Sequence, residues 1–377
     1  MKRVTVLLAA TLLGALVGCG DSTAPRFGVF SAGDSLSDSG TFGFRFTVQG
    51  TEAAPNRVWT ELVAAGLGTP TPCPRYQPST TVPDAVEANP AAWNCGGHAV
   101  AGARLNPAGA AGDLTALSVL QQVRDIARER RPFSERDLVL MSGGANDAAD
   151  VFELWLKLRR DPTSAADALA YQALMKEILG SPAADNLNDL ASRNTAGRQY
   201  MVELANRLAD TLKTELLDKG ARRIVVVNIP DITNTPKFQA ALTVPIPNTA
   251  PSDIKAFGTS LAEAFNQQLA TSLANDSRIV VYNLFAALDA WISDPPPEFN
   301  NVQTPACPNT NPDPDTAPTY SINTCTAEKL SAAAIASGQP ANVWQQNLFA
   351  DDFHPTPRGH QEAAAQVLQR IRERGWN

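Results

Sequence analysis

Short apolar runs bounded by turn residues recur along this chain of 377 residues. Such runs are typical of strands that are buried on both faces of a parallel sheet. Four of them predict strands, and a shorter fifth strand is predicted near them: Phe27–Ala32, Leu138–Ser142, Arg223–Asn228, Arg278–Asn283 and Gly97–Val100. We therefore expect a central parallel sheet of about five strands.

Longer stretches with apolar residues at helical spacing separate these runs. They predict helices, the main ones being Val58–Ala65, Leu114–Arg130, Gln199–Lys219, Ser252–Leu273 and Pro357–Arg374. Strands that alternate with helices form an α/β fold, because the crossover helices cover both faces of a parallel sheet. In such folds, ligands bind outside the carboxyl ends of the strands.

The stretch Val151–Leu179 looks like a helical insertion into this pattern, with Phe152 and Trp155 at helical spacing. We expect these side chains to pack in the core, and a lid over a ligand site is the alternative. The sequence shows no internal repeat and no clean domain boundary. A single domain is therefore expected over residues 26–377, with the helical insert around residues 151–195.

The N-terminus has the pattern of an export signal. Two cations, Lys2 and Arg3, precede the apolar run Val4–Val17. That run of 14 residues is shorter than the about 20 residues that span a bilayer as a helix. A buried core helix is the alternative, but the two cations and the terminal position favour a signal peptide.

A cysteine follows this apolar run. The segment Leu16–Cys19 resembles the lipobox of bacterial lipoproteins, which implies a signal peptide over residues 1–18 and a diacylglyceryl group on the Cys19 thiol. Residues 19–25 would then be the lipidated cysteine and a short polar linker. In such lipoproteins, an Asp directly after the cysteine tends to retain the protein at the inner membrane. This chain has Gly20 at that position, so we expect anchoring at the outer membrane of a bacterial cell envelope.

The five cysteines are an odd number for an exported protein. Lipidation of Cys19 leaves four, and we expect two local disulfides, Cys73 with Cys95 and Cys307 with Cys325, in an oxidising compartment. Each would close a Pro- and Asn-rich loop. A structural zinc site is the alternative, although the sequence has no CxxC spacing.

The formal charge of the chain is −7, and removal of a leader that contains Lys2 and Arg3 would change it to −9. A negative surface repels phosphate backbones, which argues against nucleic acid as a partner. The expected partners are a membrane, through the anchor, and a small-molecule or lipid substrate.

A serine stands just past the first predicted strand. Ser35 lies in the segment Gly33–Gly40, which reads GDSLSDSG, and a serine hydroxyl becomes a nucleophile when a base takes its proton. A turn or a helix N-cap is the alternative, since Asp and Ser both cap helices well. The Gly-Asp-Ser triplet is short enough to occur by chance, so its meaning depends on accompanying residues.

The candidate bases are the three histidines of the chain, His98, His354 and His360. His354 lies just before the last predicted helix, where either Asp351 or Asp352 could orient its imidazole and stabilise the imidazolium. His360 falls inside that helix, as surface or packing histidines often do. His354 is therefore the expected base.

Two further segments offer hydrogen-bond donors for the oxyanion of an acyl-transfer reaction. The Asn146 carboxamide follows the strand Leu138–Ser142, and the Gly102 N–H follows the short fifth strand. Both segments also suit simple turns, and Gly102 could equally form a bulge. Because Ser35, Gly102 and Asn146 each follow a predicted strand, we expect them to converge at one edge of the sheet.

Acidic residues near these positions allow a second hypothesis. A phosphatase-like metal site could be formed by Asp34, Asp38, Asp147 and His354. This hypothesis explains Ser35 less well than a serine nucleophile does. We expect Asp34 and Asp147 to hold loops by accepting backbone N–H groups. No metal and no organic cofactor is expected.

Taken in order, these blocks resemble the GDSL or SGNH hydrolases, and within them bacterial esterases and lipases akin to outer-membrane esterase passenger domains. The resemblance rests on four blocks and three supporting segments: Gly33–Gly40, Ala99–Gly102, Gly143–Asp147, Asp351–Pro355, and then Asn228–Asp231, Thr235–Pro236 and Phe265–Asn266. The Gly-x-Ser-x-Gly elbow of the α/β-hydrolases is absent from the sequence.

The resemblance implies a three-layer αβα, flavodoxin-like fold with Ser35 as nucleophile, His354 as base and Asp351 as the partner of the histidine. The Ser35 N–H, the Gly102 N–H and the Asn146 side chain would form the oxyanion hole. We therefore expect hydrolysis of carboxylic esters, with lipid or fatty-acyl esters favoured because of the anchor. The alternatives are an acyltransferase or polysaccharide O-deacetylase with the same site, and a surface binding lipoprotein that kept the fold.

Overall fold

The computed structural model describes residues 28–51, 53–83, 85–107, 112–130, 132–311 and 319–376. The predicted signal peptide, Cys19 and the linker lie outside the described residues, as does Phe27 at the start of the first predicted strand. Within these ranges, no helix combines the length and the apolar character that crossing a membrane requires.

Four parallel strands form the central sheet. In spatial order they are β1 (Val29–Ala32), β4 (Leu138–Met141), β5 (Arg223–Val227) and β6 (Ile279–Tyr282). A separate antiparallel pair joins two short strands, β2 (Tyr76–Pro78) and β3 (Val86–Ala88). Each strand of the central sheet lies within its predicted range, which confirms the expected α/β fold with a parallel sheet.

Helices connect the strands and cover the sheet. In the described part of the chain they are α1 (Trp59–Gly66), α2 (Val119–Glu129), α3 (Ala145–Arg160), α4 (Ala165–Leu179), α5 (Ser181–Ala184), α6 (Leu190–Thr211), α7 (Pro236–Thr243), α8 (Pro251–Ser272), α9 (Leu284–Ser293), α10 (Ala327–Ala336) and α11 (Pro357–Glu373). The helix predicted from Leu114 begins five residues later, because Ser118 caps it by accepting the Gln121 N–H at 3.2 Å.

Side chains of the strands alternate between the two faces of the sheet, because the strand period is two residues. In β4, Val139 and Met141 join the apolar cluster formed with α2, α3, α6 and α8. Leu138 and Leu140 join the cluster formed with α1 and α11 on the other face. All four side chains are at most 1% exposed. The fold therefore has three layers, with the sheet between two layers of helices.

The predicted fifth strand at Gly97–Val100 is not a regular strand, so the sheet has one strand fewer than expected. The segment forms a single parallel bridge to β1, between Gly97 and Ser31. The chain then turns, because the Val100 carbonyl accepts the Ala103 N–H at 3.0 Å, and the pairing ends. Before the turn, the His98 N–H donates to the Ser31 carbonyl at 2.8 Å and the Val100 N–H donates to the Gly33 carbonyl at 3.1 Å, so the segment still runs along the edge of β1.

The region of the predicted helical insert contains α4, α5 and much of α3. Phe152 and Trp155 of α3 are 0% and 2% exposed. Both rings contact Phe257 of α8, with centroid distances of 6.3 and 4.5 Å. These contacts support packing in the core as the role of the two aromatic side chains.

Two disulfides, Cys73–Cys95 and Cys307–Cys325, close the loops as predicted. The pairing excludes a zinc site at these cysteines, and disulfides of this kind are typical of exported proteins. The second disulfide also supports a loop near α11, because the Cys307 N–H donates to the Ala350 carbonyl at 2.8 Å. It therefore lies directly beside the segment that carries Asp351 and His354.

Candidate active site

Ser35 lies in the sharp turn that follows β1. Gly33 opens this turn with a φ of +149°, and its N–H donates to Gln122 Oε1 at 2.7 Å. A Cβ at this position would lie 2.5 Å from Ser142 Oγ, so a residue larger than glycine does not fit. The turn therefore holds Ser35 at the carboxyl end of the sheet, where its side chain is 6% exposed.

Asp351 and His354 face Ser35 from the loop that precedes α11. Ser35 Oγ is 2.8 Å from His354 Nε2, and Nδ1 of the same ring is 2.8 Å from Asp351 Oδ2. Because an ionised carboxylate only accepts hydrogen bonds, Nδ1 carries the proton and Nε2 accepts the hydrogen bond of the serine hydroxyl. The three side chains thus form one hydrogen-bonded chain, which is the arrangement that activates a serine.

The structure places Asp351, and not Asp352, against the imidazole. Asp351 Oδ1 also accepts the N–H groups of Phe353 and His354 at 2.8 and 2.6 Å, which fixes the carboxylate. In the described part of the chain, the Asp352 side chain makes no hydrogen bond to the imidazole ring. The backbone carbonyl of Asp352 accepts the Lys237 N–H at 2.8 Å. The geometry therefore favours Asp351 as the orienting group.

The pKa values of Asp351 and His354 shift in opposite directions. Burial alone raises the pKa of Asp351, but the charge of His354 and the hydrogen bonds that the carboxylate accepts lower it overall. Burial alone lowers the pKa of His354, but the charge and the hydrogen bond of Asp351 raise it above the ordinary value of 6.5. The pair therefore stabilises the imidazolium that forms when the serine loses its proton.

Two aromatic rings flank the imidazole of His354. The Phe46 ring centroid is 5.1 Å away, and the Phe353 ring contacts it edge-on at 5.8 Å. Phe46 comes from the loop after β1, whereas Phe353 is the neighbour of His354 in sequence. The rings restrict the imidazole to the orientation in which it meets Ser35.

Three N–H groups are the candidate donors for an oxyanion at Ser35. The N–H groups of Ser35 and Gly102 have no acceptor among the described residues. Gly102 has a φ of +79°, which glycine adopts without strain. The third donor, Asn146, lines the same pocket as Ser35 and donates one of its two amide hydrogens to the Ala103 carbonyl at 3.0 Å. The second hydrogen of that amide is left for a ligand.

Helix α3 holds the Gly102 loop through two further carboxylates. Asp147 accepts the N–H groups of Leu105–Asn106, both at 2.9 Å. Asp150 pairs with Arg104, whose Nη1 donates to the Gly102 carbonyl at 2.6 Å. Burial raises the pKa of Asp147 to about 6, although the two N–H groups oppose the shift. These contacts fix the chain directly after the Gly102 N–H.

Replacing Asn146 with alanine is expected to lower kcat by about 10²–10³-fold, because a preorganised oxyanion donor is lost. The hydrogen bond to Ala103 is also lost, so thermal unfolding should be measured beside the kinetics. A matched control is Asn194→Ala, which removes an amide outside the site. The oxygen of that amide accepts the Trp155 side-chain N–H at 2.7 Å. An effect on KM alone would mean that Asn146 only binds substrate.

The other acidic side chains near the site accept hydrogen bonds from backbone N–H groups. Asp38 accepts three of them, from Gly40–Thr41 and Ala101, at 2.7 to 2.9 Å. Asp34 accepts the Leu36 N–H at 3.1 Å. In the ranges that the structure describes, no three His, Cys, Asp or Glu side chains are grouped as a metal ion would need. The geometry thus gives no support to the phosphatase-like hypothesis.

The other two histidines are buried and make hydrogen bonds within the protein. His98 is 1% exposed, and its Nε2 lies 3.1 Å from Glu129 Oε2. His360, in α11, is also 1% exposed, and its Nδ1 accepts the Trp59 N–H at 3.3 Å. Burial lowers the pKa of His360 to about 3, so this ring stays neutral at ordinary pH.

A mostly apolar pocket opens beside Ser35 and Asn146. It has a cavity volume of about 70 Å³ and lies between the strand ends, α9 and α11. The side chains that line it farther from the serine include Leu284, Leu288, Trp291, Leu348, Phe349, Ala363 and Val367. None of the lining residues belongs to residues 151–195, so the pocket does not support a lid there.

Three supporting residues were not predicted from the sequence: Gln122, Arg104 and Phe353. Gln122 is 0% exposed on the buried face of α2. A polar residue within the apolar stripe of an amphipathic helix is a signal that could have identified it. Arg104 carries no such signal, because its importance depends on an ion pair with a residue of another element.

Comparison with known proteins agrees with this geometry. The model of the family described as GDSL-like lipase/acylhydrolase matches residues 29–367, from the start of β1 into α11. The matched region contains every residue that forms the site described above. No curated protein matches the chain.

Proposed function

Because the chain belongs to the GDSL-like lipase/acylhydrolase family, we propose that it hydrolyses carboxylic esters through an acyl-enzyme formed on Ser35. The observation that carries this proposal is the hydrogen-bonded chain from Asp351 through His354 to Ser35, in which both links are 2.8 Å. A serine so placed has a base within reach and a carboxylate that stabilises the protonated base.

In the first half-reaction, His354 Nε2 takes the hydroxyl proton while Ser35 Oγ attacks the ester carbonyl carbon. The carbonyl oxygen becomes an oxyanion, and the N–H groups of Ser35 and Gly102 and the Asn146 amide would stabilise it. The imidazolium then gives its proton to the leaving alkoxide as the bond from carbon to the alcohol oxygen breaks. An alcohol leaves, and the acyl group stays on Ser35.

In the second half-reaction, a water molecule replaces the alcohol. His354 takes one proton of the water, whose oxygen attacks the acyl carbon and forms a second oxyanion in the same donor set. Collapse of this intermediate breaks the bond to Ser35 Oγ, which recovers its proton from the imidazolium. The products are a carboxylic acid and the starting enzyme.

The pH dependence of kcat/KM should follow the ionisation of His354. Only the neutral imidazole accepts the proton of Ser35, and the pKa of His354 is raised above 6.5 by Asp351. Activity should therefore be lost as the pH falls through a value above 6.5. Initial rates with a short-chain ester, measured from about pH 5 to pH 9, test this. An acid limb centred well below that value would contradict the assignment of the base.

We further propose that the protein is a lipoprotein of the outer membrane, anchored through Cys19. The apolar leader, the lipobox pattern and the odd cysteine count support this, and the two disulfides agree with export. An enzyme held at a membrane meets lipid and fatty-acyl esters, which are therefore the proposed substrates. Mass spectrometry of the mature protein should show a diacylglyceryl group on Cys19, and Cys19→Ser should abolish it.

A panel of esters, assayed with product identification, tests the proposed reaction. Carboxylic acid and alcohol should be released in equal amounts from simple acyl esters. The same assays with added alcohol, and with an acetylated polysaccharide, separate the alternatives. Preferential transfer to the added alcohol would indicate an acyltransferase, and release of acetate from the glycan alone would indicate a deacetylase.

A further inference from the structure

The loop of residues 349–355, called the histidine loop below, is closed at its base by backbone contacts. Its first and last residues form an antiparallel bridge, and the Ala350 N–H donates to the His354 carbonyl at 2.7 Å. These contacts fix the shape of the loop. Its place relative to Ser35 depends on the segments that hold its two sides.

Cys307 holds the first side of the histidine loop. Its N–H donates to the Ala350 carbonyl at 2.8 Å, and the N–H of the preceding residue donates to the Phe349 carbonyl at 2.9 Å. Ala350 is 0% exposed and directly precedes Asp351. Two consecutive backbone hydrogen bonds therefore place Asp351 relative to Cys307.

Cys325 is linked to the second side of the histidine loop through the chain that follows the nucleophile turn. The Gln49 N–H donates to the Cys325 carbonyl at 2.8 Å. Two residues earlier, the Thr47 hydroxyl donates to the Pro355 carbonyl at 2.9 Å, and Phe46 supplies the ring that lies 5.1 Å from the imidazole. The position of Cys325 is thus tied to the far side of the loop.

The disulfide joins these two sides directly. Cys307 and Cys325 are 3% and 5% exposed, and they share one apolar cluster with Val48 and Ala350. In the described part of the chain between the two cysteines, the 3₁₀ turn Ile322–Thr324 is the only regular element. Because little other structure connects the two sides, the covalent bond fixes the distance between them.

From this geometry we propose that the Cys307–Cys325 disulfide positions Asp351 and His354 for catalysis, and that ester hydrolysis therefore requires an oxidising compartment. The proposal rests on the proposed ester hydrolysis at Ser35. Misplacement of a catalytic group by about 1 Å can lower the rate by about 10²-fold. A dithiol that cleaves the bond becomes a disulfide itself and leaves two cysteine thiols, so that the two sides of the histidine loop are no longer joined.

Paired alanine variants of the full-length protein test this proposal. Cys307→Ala with Cys325→Ala should lower kcat by about 10²-fold with a smaller effect on KM, because the pocket walls on α9 and α11 are retained. The matched control is Cys73→Ala with Cys95→Ala. The sequence separations of 18 and 22 residues predict a similar loss of thermal stability for the two pairs. The control should keep the wild-type kcat, since its cysteines line a pocket at the start of β1, at the opposite end of that strand from Ser35.

Stepwise reduction of the wild-type protein covers the case in which the first variant fails to fold. Samples treated with dithiothreitol are alkylated, free cysteines are identified by mass spectrometry, and circular dichroism checks the fold. Because Cys73 is exposed whereas Cys307 and Cys325 are buried, the disulfide of Cys73 should be reduced first, without loss of activity. Activity should be lost with the second disulfide and return on reoxidation. Full activity after both are reduced, or a loss that follows the first, would overturn the proposal.

Labelling of Ser35 by a fluorophosphonate probe separates this inference from the proposed function. The probe needs an activated serine but no ester, so its labelling rate should also fall when the Cys307–Cys325 bond is lost. A wild-type protein that is labelled but hydrolyses no ester would overturn the proposed function alone. A labelling rate that is unchanged by loss of the bond would overturn the positioning role of the disulfide.

Discussion

Ser35→Ala is expected to lower kcat for a short-chain ester by about 10⁴-fold or more, while the protein stays folded. The variant removes the only atom that would bond to the acyl group, and His354 Nε2 then has no hydroxyl proton to take. The exposed fraction of Ser35 is 6%, and its hydroxyl hydrogen-bonds to His354, so little packing is lost. Turnover of a chromogenic ester, with circular dichroism as the check on folding, measures the effect.

A serine four residues away provides the control for this experiment. Ser39 is 3% exposed, and its hydroxyl has no hydrogen-bond partner in the described part of the chain. Ser39→Ala should therefore leave both activity and stability close to those of the wild type. A fluorophosphonate probe should label the wild type and Ser39→Ala but not Ser35→Ala. Turnover that survives in Ser35→Ala would remove the serine from the proposed mechanism, and labelling elsewhere would point to another nucleophile.

Much of the fold was predictable because burial leaves a local pattern in the sequence. The residues of β4 are apolar without interruption, since Val139 and Leu140 pack on opposite faces of a sheet that helices cover on both sides. The positions of Ser35 and Asn146 followed from the same reasoning, because both come directly after strands of one parallel sheet. Ordered motifs then connected them with His354, 319 residues from Ser35 in sequence.

What could not be predicted depends on contacts between elements that are distant in the chain. Gly97–Val100 has a strand-like composition, but the turn that starts at Val100 ends its hydrogen bonding to β1 before a regular strand forms. Similarly, the ion pair of Arg104 with Asp150 and the contact of Gln122 with Gly33 exist only because α2 and α3 are packed on one sheet. No local pattern in the sequence predicts such pairs.

Substituting Asp351 with asparagine is expected to lower kcat by about 10⁴-fold, even though the shape of the loop is retained. The asparagine oxygen can still accept the N–H groups of Phe353 and His354, which are 2.8 and 2.6 Å from Asp351 Oδ1. Its NH₂ group then faces His354 Nδ1 and donates to it. The imidazole is thereby held in the tautomer that carries its proton on Nε2, which cannot accept the proton of Ser35.

The same substitution should change the pH profile in a defined direction. The carboxylate of Asp351 raises the pKa of His354, so its loss should lower that pKa and move the acid limb of kcat/KM to lower pH. Asp352→Asn is the matched control: it also removes a negative charge near the ring, but no hydrogen bond to the imidazole. Its kcat should change by less than about tenfold. If Asp352→Asn were the more damaging substitution, Asp352 would replace Asp351 as the orienting residue.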